Sequence, residues 1–134
     1  MNPMYLTKED YQKLIQLIQV KKHQQDFSPS IHRLKQELNR ALLQPAESIP
    51  PNVVTMNSRV RVKELNSRNE MTVTIVYPNE ADFNAGKISI LSPLGTAVLG
   101  SQEGDEVVWT APYCKFIYRV KEVLYQPEAA GLIT

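Results

Sequence analysis

Apolar side chains in residues 7–44 recur at helical spacing. Tyr11, Leu14, Ile15 and Ile18 follow the i, i+3, i+4, i+7 rule, and Ile31, Leu34, Leu38, Ala41 and Leu42 supply a second stripe of the same kind. The polar stretch Lys21-Lys22-His23-Gln24-Gln25-Asp26 separates the two. The first stripe begins behind Thr7, a candidate N-cap, with Asp10 at the third helical position and Leu6 placed to staple onto Tyr11. The second begins behind Ser28 as cap and Pro29 at the first helical position. The pattern predicts two helices of ~15 residues, each ~22 Å long, joined by a polar turn into an antiparallel hairpin. Neither is long enough to be stable alone, so the stripes must face each other or a larger body.

The period changes near residue 50. Pro45, Pro50 and Pro51 mark the change, since none can continue a helix or a central strand. Arg59–Lys63 alternates charge with Val, and Met71–Tyr77, Lys87–Leu91, Glu106–Thr110 and Phe116–Tyr125 read as further strands. Ser92-Pro93-Leu94-Gly95 through Gly100 has a cap, a Pro at the first position and a closing Gly, the outline of a short helix that the interior Gly95 weakens by ~1 kcal/mol. The prediction is an α+β chain: a helical hairpin over residues 1–49, and over residues 50–134 a mostly antiparallel sheet packed on one short helix.

Composition narrows the function classes. In 134 residues, 43% are apolar and 22% charged, values that suit a folded core rather than a disordered chain. The formal net charge of +1 argues against a protein that simply coats nucleic acid. One cysteine, Cys114, excludes an internal disulfide framework and a Cys-based zinc finger; with no histidine close in sequence it reads as an inert thiol. His23 and His32 match no zinc spacing, Trp109 reads as core, and no P-loop, dinucleotide fingerprint or nucleophile elbow is present. No apolar run approaches the ~18 residues of a membrane span, and the start lacks a secretory pattern. These features predict a soluble, cytoplasmic protein with no membrane partner, and composition goes no further; the accompanying expectation is a non-enzymatic monomer with no cofactor or metal.

Three segments carry a resemblance. Val53-Val54-Thr55-Met56-Asn57-Ser58-Arg59-Val60, Val76-Tyr77-Pro78 and Tyr125-Gln126-Pro127-Glu128-Ala129-Ala130-Gly131 resemble the bacterial Rnk family, regulators of nucleoside diphosphate kinase, which belong with the Gre transcript-cleavage factors. Ile88-Ser89-Ile90-Leu91-Ser92-Pro93 followed by Leu99-Gly100 is similar to the corresponding Gre segment. The resemblance implies a short coiled-coil hairpin joined to a body of FKBP-like fold, and RNA polymerase as partner. It also implies a docking contact at Ser92, Pro93 and the adjoining Leu94 beside the polymerase secondary channel, with nucleic acid met only through polymerase.

Gre cleavage requires paired carboxylates at the hairpin tip to help hold a second Mg²⁺, and such a pair must sit close together. The tip here, with Lys22, His23, Gln25 and Asp26, offers one acid. Glu37 stands about eight residues into the second helix, ~12 Å away, too far to share a metal with Asp26. Asp26 reads as a turn residue ahead of the Ser28 cap, with a metal ligand as the alternative. Lys21, Lys22, Arg33, Lys35 and Arg40 read as a solvated face or as contacts to polymerase or RNA phosphate. Thr55–Arg59 reads either as satisfying backbone groups at the joint or as a polymerase-facing surface. The leading expectation is a factor that docks beside the channel and competes with Gre-type proteins without stimulating cleavage. The alternatives are an FKBP-like prolyl isomerase and a direct modulator of nucleoside diphosphate kinase.

Overall fold

The first helical stripe forms as its end signals require. A computed structural model describes residues 4–26, 28–111 and 114–131, without the side chains of Thr110, Ala111 and Cys114, so the expected state of the Cys114 thiol lies outside the described groups. Helix α1 (Lys8–His23) starts behind Thr7, whose Oγ1 accepts the Asp10 N–H at 3.3 Å. Leu14 is fully buried, and Tyr11, Ile15, Leu17 and Ile18 pack around the same core.

The second stripe departs from expectation in two ways. Helix α2 (Pro29–Leu38) ends four residues before Leu42, making it ~15 Å long against ~24 Å for α1. Ala41–Leu43 instead form a short strand, β2, that pairs in parallel with β1 (Met4–Leu6), from Met4↔Ala41 to Leu6↔Leu43. A three-residue apolar run carries no period that separates strand from helix, so a partner far upstream decides the outcome. Ser28 also makes no side-chain capping bond; the Asp26 carboxylate accepts the Ser28 N–H at 3.2 Å in its place.

Beyond the proline-marked hinge at residues 45–51 lie β3 (Arg59–Glu64), β4 (Glu70–Val76), β5 (Lys87–Ser89), helix α3 (Pro93–Val98), β6 (Glu106–Ala111) and β7 (Cys114–Tyr125). The five strands form one sheet in the order β5-β4-β3-β7-β6, antiparallel except for β4 and β5. Alternation sets its two faces: Val60, Val62, Val73, Ile75, Tyr118 and Val120 point into the core, whereas Arg61 lies outward, 2.8 Å from Glu122 and 3.7 Å from Glu70.

A single buried cluster joins the two sequence regions, since Met4, Leu6, Leu14, Leu34 and Leu38 share it with the inward face of the sheet and with Leu94, Ala97 and Val98 of α3. Two glycines permit this closure. A Cβ on Gly95 would collide with the Ser89 carbonyl oxygen, which explains a glycine inside α3. Gly100 has φ +84°, and a Cβ there would come within 2.7 Å of the Met4 side chain, so β1 can seat only against a glycine. Leu34→Ala, which empties a fully buried site on α2, is expected to lower stability by ~3 kcal/mol without changing the urea m-value, as read by equilibrium denaturation.

Candidate partner-docking surface and the network behind it

The three segments that carry the resemblance each supply buried or part-buried polar contacts, and the Glu128 charge acts on Asp10 between two of them. Thr55 and Ser58, in the loop before β3, are fully buried. The Thr55 hydroxyl donates to Glu128 Oε1 at 2.6 Å, so at 2.9 Å the Ser58 hydroxyl must donate to Thr55 Oγ1 while its own oxygen accepts the Thr55 N–H. Gln126 Nε2 donates to the carbonyls of Pro50 and Val53 at 2.9 and 2.7 Å, tying the segment after β7 to the hinge. The Tyr77 hydroxyl, at the end of β4, donates to Asp10 Oδ1 at 2.7 Å, and Lys13 Nζ lies 5.6 Å from the centre of the Tyr77 ring. Of the two readings of Thr55–Arg59, this burial supports the structural one for Thr55 and Ser58.

Asp10 is the costly member. It is 1% exposed, and its Oδ2 has no hydrogen-bond partner among the described residues. Burial lifts its carboxyl above the ordinary value; the Glu128 charge acts in the same direction, against the Tyr77 hydroxyl, Lys13 and Thr7. Burial and the adjacent Asp10 hold the Tyr77 phenol above its own ordinary value.

Helix α3 presents the expected docking residues unequally. The Ser92 hydroxyl donates to the Ser89 carbonyl at 2.7 Å and accepts the Gly95 N–H at 3.0 Å, while Leu91 N–H donates to Ser89 Oγ at 3.0 Å. Ser92 is therefore half-buried and engaged as a cap, Leu94 is 8% exposed within the core, and Pro93 alone of the three is exposed. This hydrogen bonding holds the Pro93 backbone on both sides.

At the hairpin tip Lys22, His23 and Gln25 are exposed, with Gln25 in the left-handed region at φ +59°. Asp26 is half-buried by its turn with Ser28. Glu37 pairs with Arg40 toward the far end of α2. Arg33 does not sit on a solvated face: its Nη1 donates to the Val108 carbonyl of β6 at 2.7 Å, fastening α2 to the sheet. A cleft of about 440 Å³ beside it is lined by Arg33, Glu37, Arg40, Leu99, Ser101 and Val108, among others. Trp109 stacks on Phe116 at 5.0 Å and lies 6.4 Å from Tyr118, a half-buried aromatic ladder continuous with the core. The Asp10–Tyr77 bond escaped the sequence reading because Asp10 already had a local role in the first helical turn.

Comparison with known proteins agrees with this architecture. The family described as transcription elongation factor, GreA/GreB, C-term matches residues 49–125. The regulator of nucleoside diphosphate kinase of Escherichia coli (strain K12) is 38% identical over 104 residues, 77% of this chain and 76% of that protein. Transcription elongation factor GreA of Thermodesulfovibrio yellowstonii is 34% identical over 96 residues, 72% of this chain and 61% of that protein. A solved structure of a GreA/GreB elongation factor from Nitrosomonas europaea superposes with a TM-score of 0.77 at 37% identity, covering 93% of this chain and all of that one.

The buried carboxyl makes a signed prediction. With its pKa raised on folding, Asp10 contributes stability that is complete below its ordinary value of 3.8 and is lost as pH rises through the shifted value. Asp10→Asn keeps an oxygen for Tyr77 but cannot ionise. Urea midpoints of the two proteins should therefore diverge in favour of the variant as pH rises from about 4 to 7; parallel curves would show that the carboxyl exerts no such linkage.

Proposed function

The chain belongs to the GreA/GreB family of transcription elongation factors and groups there with the regulators of nucleoside diphosphate kinase, and on that premise we propose that it is an RNA-polymerase-binding regulator without cleavage activity. In this reading the body has the FKBP-like fold of the Gre factors and docks beside the secondary channel through Pro93 and the exposed part of Ser92. The hairpin acts as a short coiled coil pointed at the channel mouth. The protein works as a cytoplasmic monomer, meets nucleic acid only through polymerase, and competes with Gre-type factors for the same position.

The observation that carries this reading is the pairing of a rigidly held Pro93 with a tip that offers one carboxylate already used in a turn. Asp26 accepts the Ser28 N–H, and Glu37 lies ~12 Å along α2 in an ion pair with Arg40. Two-metal hydrolysis needs oxygen ligands converging on one ion, and these two stand too far apart along α2 to share one. The shortness of α2 acts in the same direction by limiting the reach of the tip.

The test uses purified polymerase. The protein should be retained by core enzyme at modest salt, release no RNA fragment from backtracked complexes, and lower the fragment yield when added with a GreA protein. Pro93→Ala should weaken retention by roughly 5-fold or more, the scale of a moderate interface contact. Fragment release by the protein alone, or no retention at any salt, would overturn the reading.

A further inference from the structure

Phe83 is the most exposed large apolar side chain among the described residues, at 83%. A solvated phenylalanine gains nothing for the fold, yet its backbone is held closely. It opens a 3₁₀ turn (Phe83–Ala85) in which Ala85 N–H donates to the Asp82 carbonyl and Gly86 N–H to the Phe83 carbonyl, both at 3.0 Å. Asp82 and Lys87 exchange two backbone bonds of 2.9 Å, and Thr74 N–H donates to the Gly86 carbonyl at 2.8 Å, which fixes the turn to β4. Gly86 closes it in the left-handed region at φ +73°.

The surroundings extend this feature into a surface. Three residues upstream, the turn Pro78–Glu80 forms one wall of a groove of about 410 Å³ whose other wall is α1, with Leu17, Val20, Tyr77 and Pro78 among its lining residues. Val20 is 50% exposed there. Downstream, β5 is the edge strand of the sheet, and it leads from the Phe83 turn to Pro93. Glu80 and Asp82 lie on the upstream side of Phe83, while the exposed Lys87 pairs with Asp82 through the backbone and Lys13 lines the groove beside Glu80, so the acidic side of the aromatic is the one toward Glu80.

We propose that Phe83 is a second anchor for the polymerase, entering an apolar pocket rimmed by Lys or Arg, with Glu80 and Asp82 facing that rim. A rigid aromatic that buries its full area against a partner while losing little freedom has the physical character of a binding hot spot. The acidic flank sets orientation and makes association sensitive to salt. Phe83 precedes β5 by four residues and Pro93 follows it by four, and two separate contacts fix an angle that one cannot. The inference deepens the function proposed above and rests on it.

The experiment measures binding of the full chain, labelled at a site away from both anchors, to core polymerase by fluorescence anisotropy. Wild type is compared with Phe83→Ser and Glu80→Lys, alongside the mass of each protein in solution. Phe83 is exposed, so the thermal midpoint of Phe83→Ser should match wild type. Its affinity should fall roughly 30-fold, the scale of a hot-spot residue. Glu80→Lys should weaken binding several-fold at low salt, with the difference shrinking as salt rises. Wild-type binding with an unchanged Phe83→Ser affinity would overturn this inference and leave the proposed function standing. Absence of wild-type binding would overturn both. Conversion of a wild-type dimer to a monomer by Phe83→Ser, with polymerase binding intact, would assign the surface to a second copy of the chain and reject the polymerase anchor.

Discussion

The 2.7 Å hydrogen bond from the Tyr77 hydroxyl to Asp10 links α1 to the sheet, and the position of the hairpin depends on it. Apolar contacts hold the hairpin to the body in greater number, through Leu14, Leu34 and Leu38, but such contacts tolerate small slides and rotations. A buried hydrogen bond between a phenol and a carboxyl does not. It has one geometry, and its loss leaves a buried polar group unsatisfied. The same region holds the Thr55–Glu128 bond and the Gln126 clasp on the hinge carbonyls, so the loop before β3, the end of β4 and the segment after β7 are mutually constrained.

This arrangement trades stability for definition. Asp10 is nearly sealed from water, its Oδ2 is unpartnered among the described residues, and Glu128 adds repulsion. An apolar replacement of the group would remove that penalty, yet it would also remove the element that specifies one docking angle for α1. Arg33, donating to the Val108 carbonyl, acts likewise for α2. Each helix of the hairpin thus has a directional bond to the body in addition to its apolar stripe. The two bonds reach different strands, β4's end and β6, at opposite sides of the sheet order.

What was legible in the sequence was local. The Thr7 and Ser92 caps each bond to a backbone N–H three residues on, and the alternation of Val60 and Val62 with Arg59, Arg61 and Lys63 needs no distant partner to define a face. What was not legible required knowledge of a remote neighbour. The strand at Ala41–Leu43 depends on Met4–Leu6, Tyr77 meets Asp10 across 67 positions, and Thr55 meets Glu128 across 73. Gly95 looked like a weakness within a helix because the Ser89 carbonyl pressed against it was unseen. Within the candidate site, Ser92 and Pro93 could be placed from cap chemistry, while the burial of Leu94 follows from packing on the core. Phe83 gave no periodic signal, because a single apolar residue in a loop reads the same whether it turns inward or outward.

Leverage explains why the directional bond of α1, Asp10 to Tyr77, belongs at the base of the hairpin, while Arg33 holds α2 midway along its length. Helix α1 runs ~24 Å from its capped start at Thr7 to the turn at Gln24 and Gln25. A rotation of about 10° at the base would move the tip by ~4 Å, comparable to the difference between a hydrogen bond and no contact at all. Definition at the tip must therefore be built where the lever arm is short. The tip itself has little with which to correct an error: Lys22, His23 and Gln25 are solvated, and Asp26 is held by its own turn. Any partner that reads the tip consequently reads the geometry of Asp10, Tyr77 and Arg33, and variants at those three positions act on the tip without touching it.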